Sequence, residues 1–349
     1  MKPFEHRISL LHHLGEIFRE VSSLKPIKHL VKYQELQNSL QKINDQNPWF
    51  TKEFILLSIS TWGETLTPEA ISKWHMKYLI PDKTPKSRSV TVIMAGNIPL
   101  VGFHDFVCTI LSGNIFLGKL SSRDSILFPL IRNWIIEIDP EWDGYIQLTH
   151  NIPENPEIII ATGSNNTSRL VRQQYSTERK IVRHNRSSIG LVNGNETKED
   201  LEQLSSDILS YFGLGCRNVS LLFIPEGFDI LKLADIISEI EIELPPPYMN
   251  NLKYQRAKAG VNNETMLDGG KLLFKQSRDL NSPLAMIHYD YYRDPKEIEV
   301  FLRSHQNQIQ CMVGNPEHWD DVVPFGQSQK PELDDYADGI DTMEFLINL

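Results

Sequence analysis

An α/β fold with parallel sheets in two domains is predicted by three observations. Short apolar runs alternate with helix-compatible segments, the runs are apolar throughout rather than at every second residue, and the alternation restarts near residue 189. Strands of a parallel sheet are covered on both faces by their connecting helices, which is why they read as unbroken apolar runs. With 349 residues and 40% hydrophobic content, the chain is long enough for about two such domains.

Residues 1 to about 80 read as helices, with Leu10, Leu14, Ile17 and Phe18 on one face and Leu36, Leu40 and Ile43 on another. Pro81 to Ser89 reads as a polar linker. Strands follow at Val90–Met94, Ile115–Leu117, Tyr145–Leu148 and Ile158–Ala161, with helices expected over Phe103–Leu111 and Ser125–Ile136. After a strand at Ile189–Val192 come a helix over 198–211, a strand over 219–224 and a helix over 229–238. Glu243 to Pro247, with three consecutive prolines, reads as a loop or extended connector. Strand Leu284–Tyr289, a helix over 294–305 and strand Ile309–Val313 complete the pattern, and the apolar run Met343–Ile347 is expected as an edge element.

The formal net charge of −10 argues against nucleic acid and against an anionic membrane surface as partners. The apolar stretch Val90–Gly118 is broken by Asn97, Pro99, His104, Asp105, Gly113 and Asn114, so it reads as buried strand–turn–helix–strand and not as a membrane span. Cys108, Cys216 and Cys311 have no metal-ligand spacing, and three cysteines fit thiols in a reducing compartment. The first residues lack the apolar core of a signal peptide, so the expected location is cytoplasmic. The histidines form no ligand set and no Gly-x-Ser-x-Gly elbow is present, which leaves metal catalysis and serine hydrolysis without support.

Four segments carry candidate chemistry. Gly213-Leu214-Gly215-Cys216-Arg217-Asn218 places a cysteine after two glycines and before a strand. Such a turn can present a thiol to a ligand, with Arg217 or backbone N–H groups favouring the thiolate, and it equally fits an inert packed cysteine. Asn97-Ile98-Pro99 follows the first strand of the sheet, where an amide can donate to an oxyanion or simply end the strand. Lys119-Leu120-Ser121-Ser122-Arg123 suits a phosphate or ribose, or a solvated loop. Thr162-Gly163-Ser164 opens a helix, as an anion cradle or as an ordinary N-cap. No G-x-G-x-x-G accompanies it.

The order of these pieces, with the late Pro324-Phe325-Gly326, resembles the aldehyde dehydrogenase superfamily from about Val90 to the C-terminus. Within it the chain looks like the LuxC-type acyl-CoA reductases. The clearest mark is Gly213-Leu214-Gly215-Cys216-Arg217-Asn218-Val219-Ser220, supported by Lys119-Leu120-Ser121-Ser122 and the ending Asp335-Tyr336-Ala337-Asp338-Gly339-Ile340-Asp341. The resemblance implies two Rossmann-like parallel-sheet domains with a cleft between them. Residues 1–188 would hold the N-terminal helices and the nicotinamide-cofactor domain, residues 189–325 the catalytic domain, and residues 326–349 a C-terminal segment.

By the same resemblance Cys216 is the nucleophile, and Asn97 with the Cys216 backbone N–H forms the oxyanion hole. Lys119, Ser121, Ser122 and Arg123 bind the adenosine ribose or its phosphate, Gly163 and Ser164 lie under the pyrophosphate, and Asp279 keeps the nicotinamide-ribose contact. The chain departs from the superfamily in three informative places, one of them the segment that holds the nicotinamide ribose, which appears only as Asp279-Leu280-Asn281-Ser282-Pro283. The glutamate-bearing segment that supplies the water-activating base corresponds to Arg183-His184-Asn185-Arg186-Ser187-Ser188, which has no carboxylate and leaves only His184 as a substitute base. The ribose-binding glutamate is replaced by Ser122 beside Arg123, which favours NADPH. The implied activity is NADPH-dependent reduction of a fatty acyl-CoA or acyl-carrier-protein thioester to an aldehyde. A cysteine acyltransferase or thioesterase without a redox step is the alternative. A homo-oligomer and an acyl-activating partner protein are the implied associations.

Overall fold

Four helices open the chain: α1 (Phe4–Val21), α2 (Leu30–Gln46), α3 (Lys52–Thr65) and α4 (Pro68–His75). In this computed structural model residues 2–23, 26–78, 80, 87–163, 165–175, 177 and 179–349 are described. Most of the expected linker Pro81–Ser89 therefore lies outside the described residues. On α1, Leu10, Leu11, Leu14, Ile17, Phe18 and Val21 recur at helical spacing and are buried. Thr51 and Thr67 cap α3 and α4 by accepting backbone N–H groups, and Pro68 occupies the first turn of α4, where its missing N–H costs nothing. Helices α1 and α3 cross closely at Gly15: a Cβ there would lie 2.3 Å from the Leu66 carbonyl oxygen.

A sheet follows, with β1 (Ser89–Ile93), α5 (Phe103–Leu111), β2 (Ile115–Lys119), α6 (Leu127–Ile138), β3 (Ile146–Thr149), β4 (Ile158–Ala161), α7 (Asn165–Gln174) and β5 (Lys180–Val182). The strands lie in the order β3-β2-β1-β4-β5, all parallel. Every residue of β4 and all but the first of β1 are buried, as strands covered on both faces must be. Chain order runs outward from β1 to β3 and then resumes on the other side at β4, so the topological switch lies between β1 and β4. Helix α5, nine residues long, is apolar nearly all round and buried. Among the described residues no helix is long and apolar enough to cross a membrane.

The chain divides into two units, Met1–Asn185 together with Pro331–Leu349, and Arg186–Lys330. The second contains β6 (Ser187–Leu191), α8 (Lys198–Leu209), β7 (Val219–Pro225), α9 (Ile230–Glu239), α10 (Pro246–Asn262), β8 (Leu267–Asp268), β9 (Leu273–Gln276), β10 (Met286–Tyr292), α11 (Pro295–His305) and β11 (Ile309–Gly314). Its sheet, β11-β6-β7-β10-β9-β8, is parallel except for the two-residue edge strand β8. Capping boxes at Thr197/Asp200 and Asp294/Glu297 start α8 and α11.

Two sequence expectations are corrected. The proline run is not an extended connector throughout: Pro245 is the N-cap of α10, and Pro246 and Pro247 fill its first turn, where backbone N–H groups have no intrahelical partner. The Met343–Ile347 run is not an edge element: it lies in α12 (Thr342–Ile347), whose N-cap Asp341 accepts the Glu344 amide at 2.8 Å. Met343 and Leu346, three residues apart, are buried in the core of the first unit.

The closing segment is tied to the first unit by a one-way chain of hydrogen bonds. Trp74 Nε1 donates to Tyr336 Oη at 2.9 Å, the Tyr336 and Tyr78 hydroxyls lie 2.6 Å apart, and Tyr78 donates to Asp341 Oδ2 at 2.7 Å. Burial pushes the ionisation of both tyrosines upward, which keeps them as neutral donors.

Candidate active site

In the first unit the candidate residues lie at one end of the sheet. The register sets Ile93 of β1 level with Lys119 of β2 on one side and Ala161 of β4 on the other. Neighbouring strands are about 4.8 Å apart, so Lys119 and the start of the Thr162 turn flank the end of β1 at close range. Backbone bonds fix the level: Met94 N donates to Lys119 O, and Thr162 N to Ile93 O, both at 3.2 Å. This is the carboxyl end of the sheet at its switch point, where open α/β sheets bind ligands.

Asn97 stands in the half-buried loop that leaves β1. That loop is braced by Asn47, the residue that ends α2, whose Nδ2 donates to Gly96 O at 3.1 Å, and by α3, where Ser58 Oγ donates to Pro99 O at 3.0 Å. Gly96 leaves no room for a side chain, because a Cβ would sit 2.4 Å from Ser121 Oγ. The β1 and β2 loops are thus in contact, through Gly96, the residue before Asn97, against Ser121 and Arg123. Gln46 on α2 holds that segment as well, donating to Ser122 O at 3.1 Å and to Ser125 Oγ at 2.7 Å. Ser122 and Arg123 are exposed and Ser121 is half-buried. Asp124, the next residue in sequence, is buried, and burial pushes it up to about 6.

Thr162 and Gly163 follow β4 and lead into α7, whose ten residues give it a usable N-terminal dipole. Ser164 lies outside the described residues. The arrangement fits a dinucleotide: a turn at a helix start for the pyrophosphate, and cations at Lys119 and Arg123 for ribose or phosphate.

In the second unit Cys216 is exposed, in the turn before β7. Backbone geometry that the side chains do not announce shapes the approach to it. Tyr211, Phe212 and Gly213 have φ of 49°, 57° and 76°, three successive left-handed residues of which only the glycine is at ease. Burial holds Tyr211 and Phe212 in place, with the Phe212 ring 5.6 Å from that of Tyr248 on α10. Such strain, of order 1–3 kcal/mol per residue, persists where surrounding packing over-determines it, and it clusters at functional sites.

Side chains secure the turn from three directions. Asn218 Nδ2 donates to the carbonyls of Asp207, Ile208 and Ser210 around the end of α8. Buried Arg217 donates through Nε to Ser328 O, just beyond Pro324-Phe325-Gly326, and Asp207 accepts the Gly326 and Ser328 amides at 2.6 and 3.0 Å. From β6, Ser188 Oγ donates to the Cys216 carbonyl at 2.9 Å and accepts the Cys311 amide at 3.2 Å. The Pro-Phe-Gly turn is thus a brace for the cysteine turn. Asp279 is brought to the same part of the sheet, since Ser220 of β7 donates to Leu280 O at 2.7 Å and Ser187 of β6 to Asn281 Oδ1 at 3.0 Å. Its carboxylate is exposed and accepts the Asn281 amide at 3.0 Å.

The stretch compared with the superfamily's base contains a buried cation instead. Arg183 forms two 2.7 Å bonds to the two carboxylate oxygens of Asp105. His184 is exposed, and Arg172 Nη2 lies 2.6 Å from its Nε2. A guanidinium has only donors, so this contact sets a cation's N–H groups against the imidazole edge. Among the described residues no group of three or more His, Cys, Asp or Glu side chains is placed to hold a metal ion.

Comparison with known proteins agrees with this architecture. Residues 3–240 match the family model described as acyl-CoA reductase (LuxC). No curated protein matches. Among solved structures, aldehyde dehydrogenase 21 from Physcomitrella patens in complex with succinate is similar with a TM-score of 0.63 at 12% identity, over 97% of this chain and 84% of that one. The indole-3-acetaldehyde dehydrogenase AldA of P. syringae, in complex with NAD+, gives 0.58 at 12% identity over 90% and 72%. GapN, a glyceraldehyde-3-phosphate dehydrogenase from Methanocaldococcus jannaschii complexed with NADP, gives 0.55 at 12% over 89% and 80%. At such identities the likeness is one of fold: the chain has the aldehyde dehydrogenase architecture.

Proposed function

Because the chain belongs to the acyl-CoA reductase (LuxC) family, and is thereby an oxidoreductase of acyl and aldehyde substrates, we propose that it reduces an acyl thioester to an aldehyde through a cysteine acyl-enzyme. The observation that carries this reading is an exposed cysteine set by a strained, multiply braced turn at the start of a strand.

In the proposed reaction the Cys216 thiolate attacks the thioester carbonyl, forming a C–S bond and placing the charge on oxygen. The Cys216 backbone N–H and the Asn97 carboxamide are the oxyanion donors assigned by resemblance. Collapse breaks the bond to the departing thiol, which leaves as thiolate and takes up a proton, and the acyl group stays on Cys216. A bound nicotinamide dinucleotide supplies the hydride that reduces this acyl group. The second adduct expels the Cys216 thiolate and releases the aldehyde. Thr162 and Gly163 at the start of α7 support a pyrophosphate role, and Ser164 shares it by resemblance. Lys119, Ser121, Ser122 and Arg123 support the adenosine end, and Asp279 the second ribose. NADPH is the proposed form: the Ser121–Arg123 segment displays a cation, and its neighbouring carboxylate, Asp124, is buried. No carboxylate occupies the 183–188 stretch to activate water, which favours transfer of the acyl group between thiols and its reduction over hydrolysis.

The test is mass spectrometry after mixing the protein with a fatty acyl-CoA, followed by addition of NADPH. An acyl adduct on the Cys216 peptide, absent from C216A and discharged as aldehyde on adding NADPH, is expected. Undiminished NADPH-dependent reduction by C216A would refute the reading. An adduct that NADPH never discharges would leave a transferase without a redox step.

A further inference from the structure

The closing motif Asp335–Asp341 has no part in the reaction just described, yet its contacts lead to the cofactor end of the first sheet. Arg183, the first residue past β5, is buried, and its guanidinium is shared among three elements. Nη1 donates to Asp105 Oδ2 on α5 at 2.7 Å and to Thr162 Oγ1 at 2.9 Å. Nη2 donates to Asp105 Oδ1 at 2.7 Å and to Thr342 Oγ1, at the start of α12, at 2.9 Å. All four Nη hydrogens thus have acceptors, on a rigid plane that cannot follow one acceptor without leaving another. The backbone is held as well: Ser168 Oγ of α7 donates to Arg183 O at 2.9 Å, and His184 N donates to Asp338 Oδ2 at 2.8 Å.

Thr162 opens the turn that the proposed function gives to the pyrophosphate. Its hydroxyl is oriented by a cation that the closing segment holds from the other side. We propose that the closing segment, through Asp338 and Thr342, is a positioning element for the Thr162–Gly163 turn and sets the affinity for the nicotinamide dinucleotide without touching it. The proposal rests on the reading of this turn as part of a cofactor site. In this role the Asp335–Asp341 motif completes the first unit at its ligand-binding end.

Full-length T342V, T342S and D338G are compared with the unaltered protein in two assays: NADPH titration followed by nicotinamide fluorescence, and the yield of acyl adduct on Cys216 without cofactor. T342V keeps the side-chain shape but cannot accept the Nη2 hydrogen. It should weaken NADPH binding about ten-fold, the order expected for a buried donor left unsatisfied, while T342S binds normally. D338G removes the acceptor for His184 N at a position whose φ of 61° suits glycine, and should weaken binding several-fold. Adduct yield should be unchanged in all three. If T342V does not fold, D338G decides. Unaltered NADPH affinity in folded variants, or an equal loss of binding and of adduct, overturns the positioning role. An unaltered protein that binds no NADPH overturns the cofactor reading first, and this proposal with it.

Discussion

Gly215 and Asn218 are joined by two hydrogen bonds that enclose the candidate nucleophile. Gly215 N donates to Asn218 Oδ1 at 2.8 Å, and Asn218 N donates to Gly215 O at 3.2 Å. The second bond closes a four-residue turn with Cys216 at its second position. The first places an amide side chain across that turn, so the direction in which Cys216 leaves the backbone depends on Asn218.

Asn218→Ala therefore removes more than one contact. It leaves the Gly215 N–H and the carbonyls around the end of α8 without their amide partner in a buried setting. A destabilisation of about 1–3 kcal/mol is expected, together with slower acylation of Cys216, although the thiol itself is untouched. Urea denaturation measures the first effect and a rapid-mix acyl-CoA burst the second. A variant that acylates at the unaltered rate would show that the turn does not need the side chain.

Legibility in the sequence followed local physics. Val90–Ile93 and Ile158–Ala161 could be read as strands because both faces are buried and their residues are continuously apolar. The capping boxes that start α8 and α11 are equally local, the two members of each, Thr197/Asp200 and Asp294/Glu297, lying three residues apart. The order of Asn97, Lys119, Gly163 and Cys216 along the chain could also be read, since each ends, follows or precedes a strand. Helix α10 could not be traced, because its buried face is only Tyr248, Leu252, Gln255 and Ala259, too sparse and polar to show a period. Nor could the left-handed turn at Tyr211 and Phe212, since neither residue type announces a positive φ. The pairing of Arg183 could not be read either, because its partner, Asp105, lies 78 residues away in sequence. Pairings of that kind are tertiary facts with no local signature.

Asp124 gives the fold a dependence on acidity of definite sign. Burial raises its carboxyl from 3.8 to about 6, with the Leu127 amide pulling only partly the other way. The folded protein therefore keeps a proton that the unfolded chain releases near pH 4. Its contribution is fully favourable below that pH, is lost as pH rises through about 6, and is constant above. The loss amounts to about 3 kcal/mol at most by the linkage of proton binding to folding. Asp124→Asn removes the ionisation, so melting temperatures measured from pH 4 to pH 8 should separate in favour of the variant above about pH 6 and converge near pH 4. A gap of constant size across that range would exclude this role for Asp124.

The three cysteines should differ sharply toward an alkylating agent, which makes the thiol chemistry testable without substrate. Cys216 is exposed, Cys311 is half-buried with Sγ 3.1 Å from Ser188 Oγ, and Cys108 is fully buried on α5. For Cys108 desolvation comes first and the nearby Asp105 charge adds to it, and together they push the thiol well above its ordinary range. The reactive species is the thiolate, so both access and ionisation work against Cys108. Iodoacetamide at pH 7.5 should label Cys216 first and Cys311 more slowly. Cys108 should be labelled at least about 100-fold more slowly than Cys216, at a rate set by opening of the first unit. Peptide mapping over time gives the three rates, and prior incubation with acyl-CoA should protect Cys216 alone. If Cys311 were instead the residue protected by acyl-CoA, the acyl group would be on the other thiol beside Ser188, and the nucleophile would have to be reassigned.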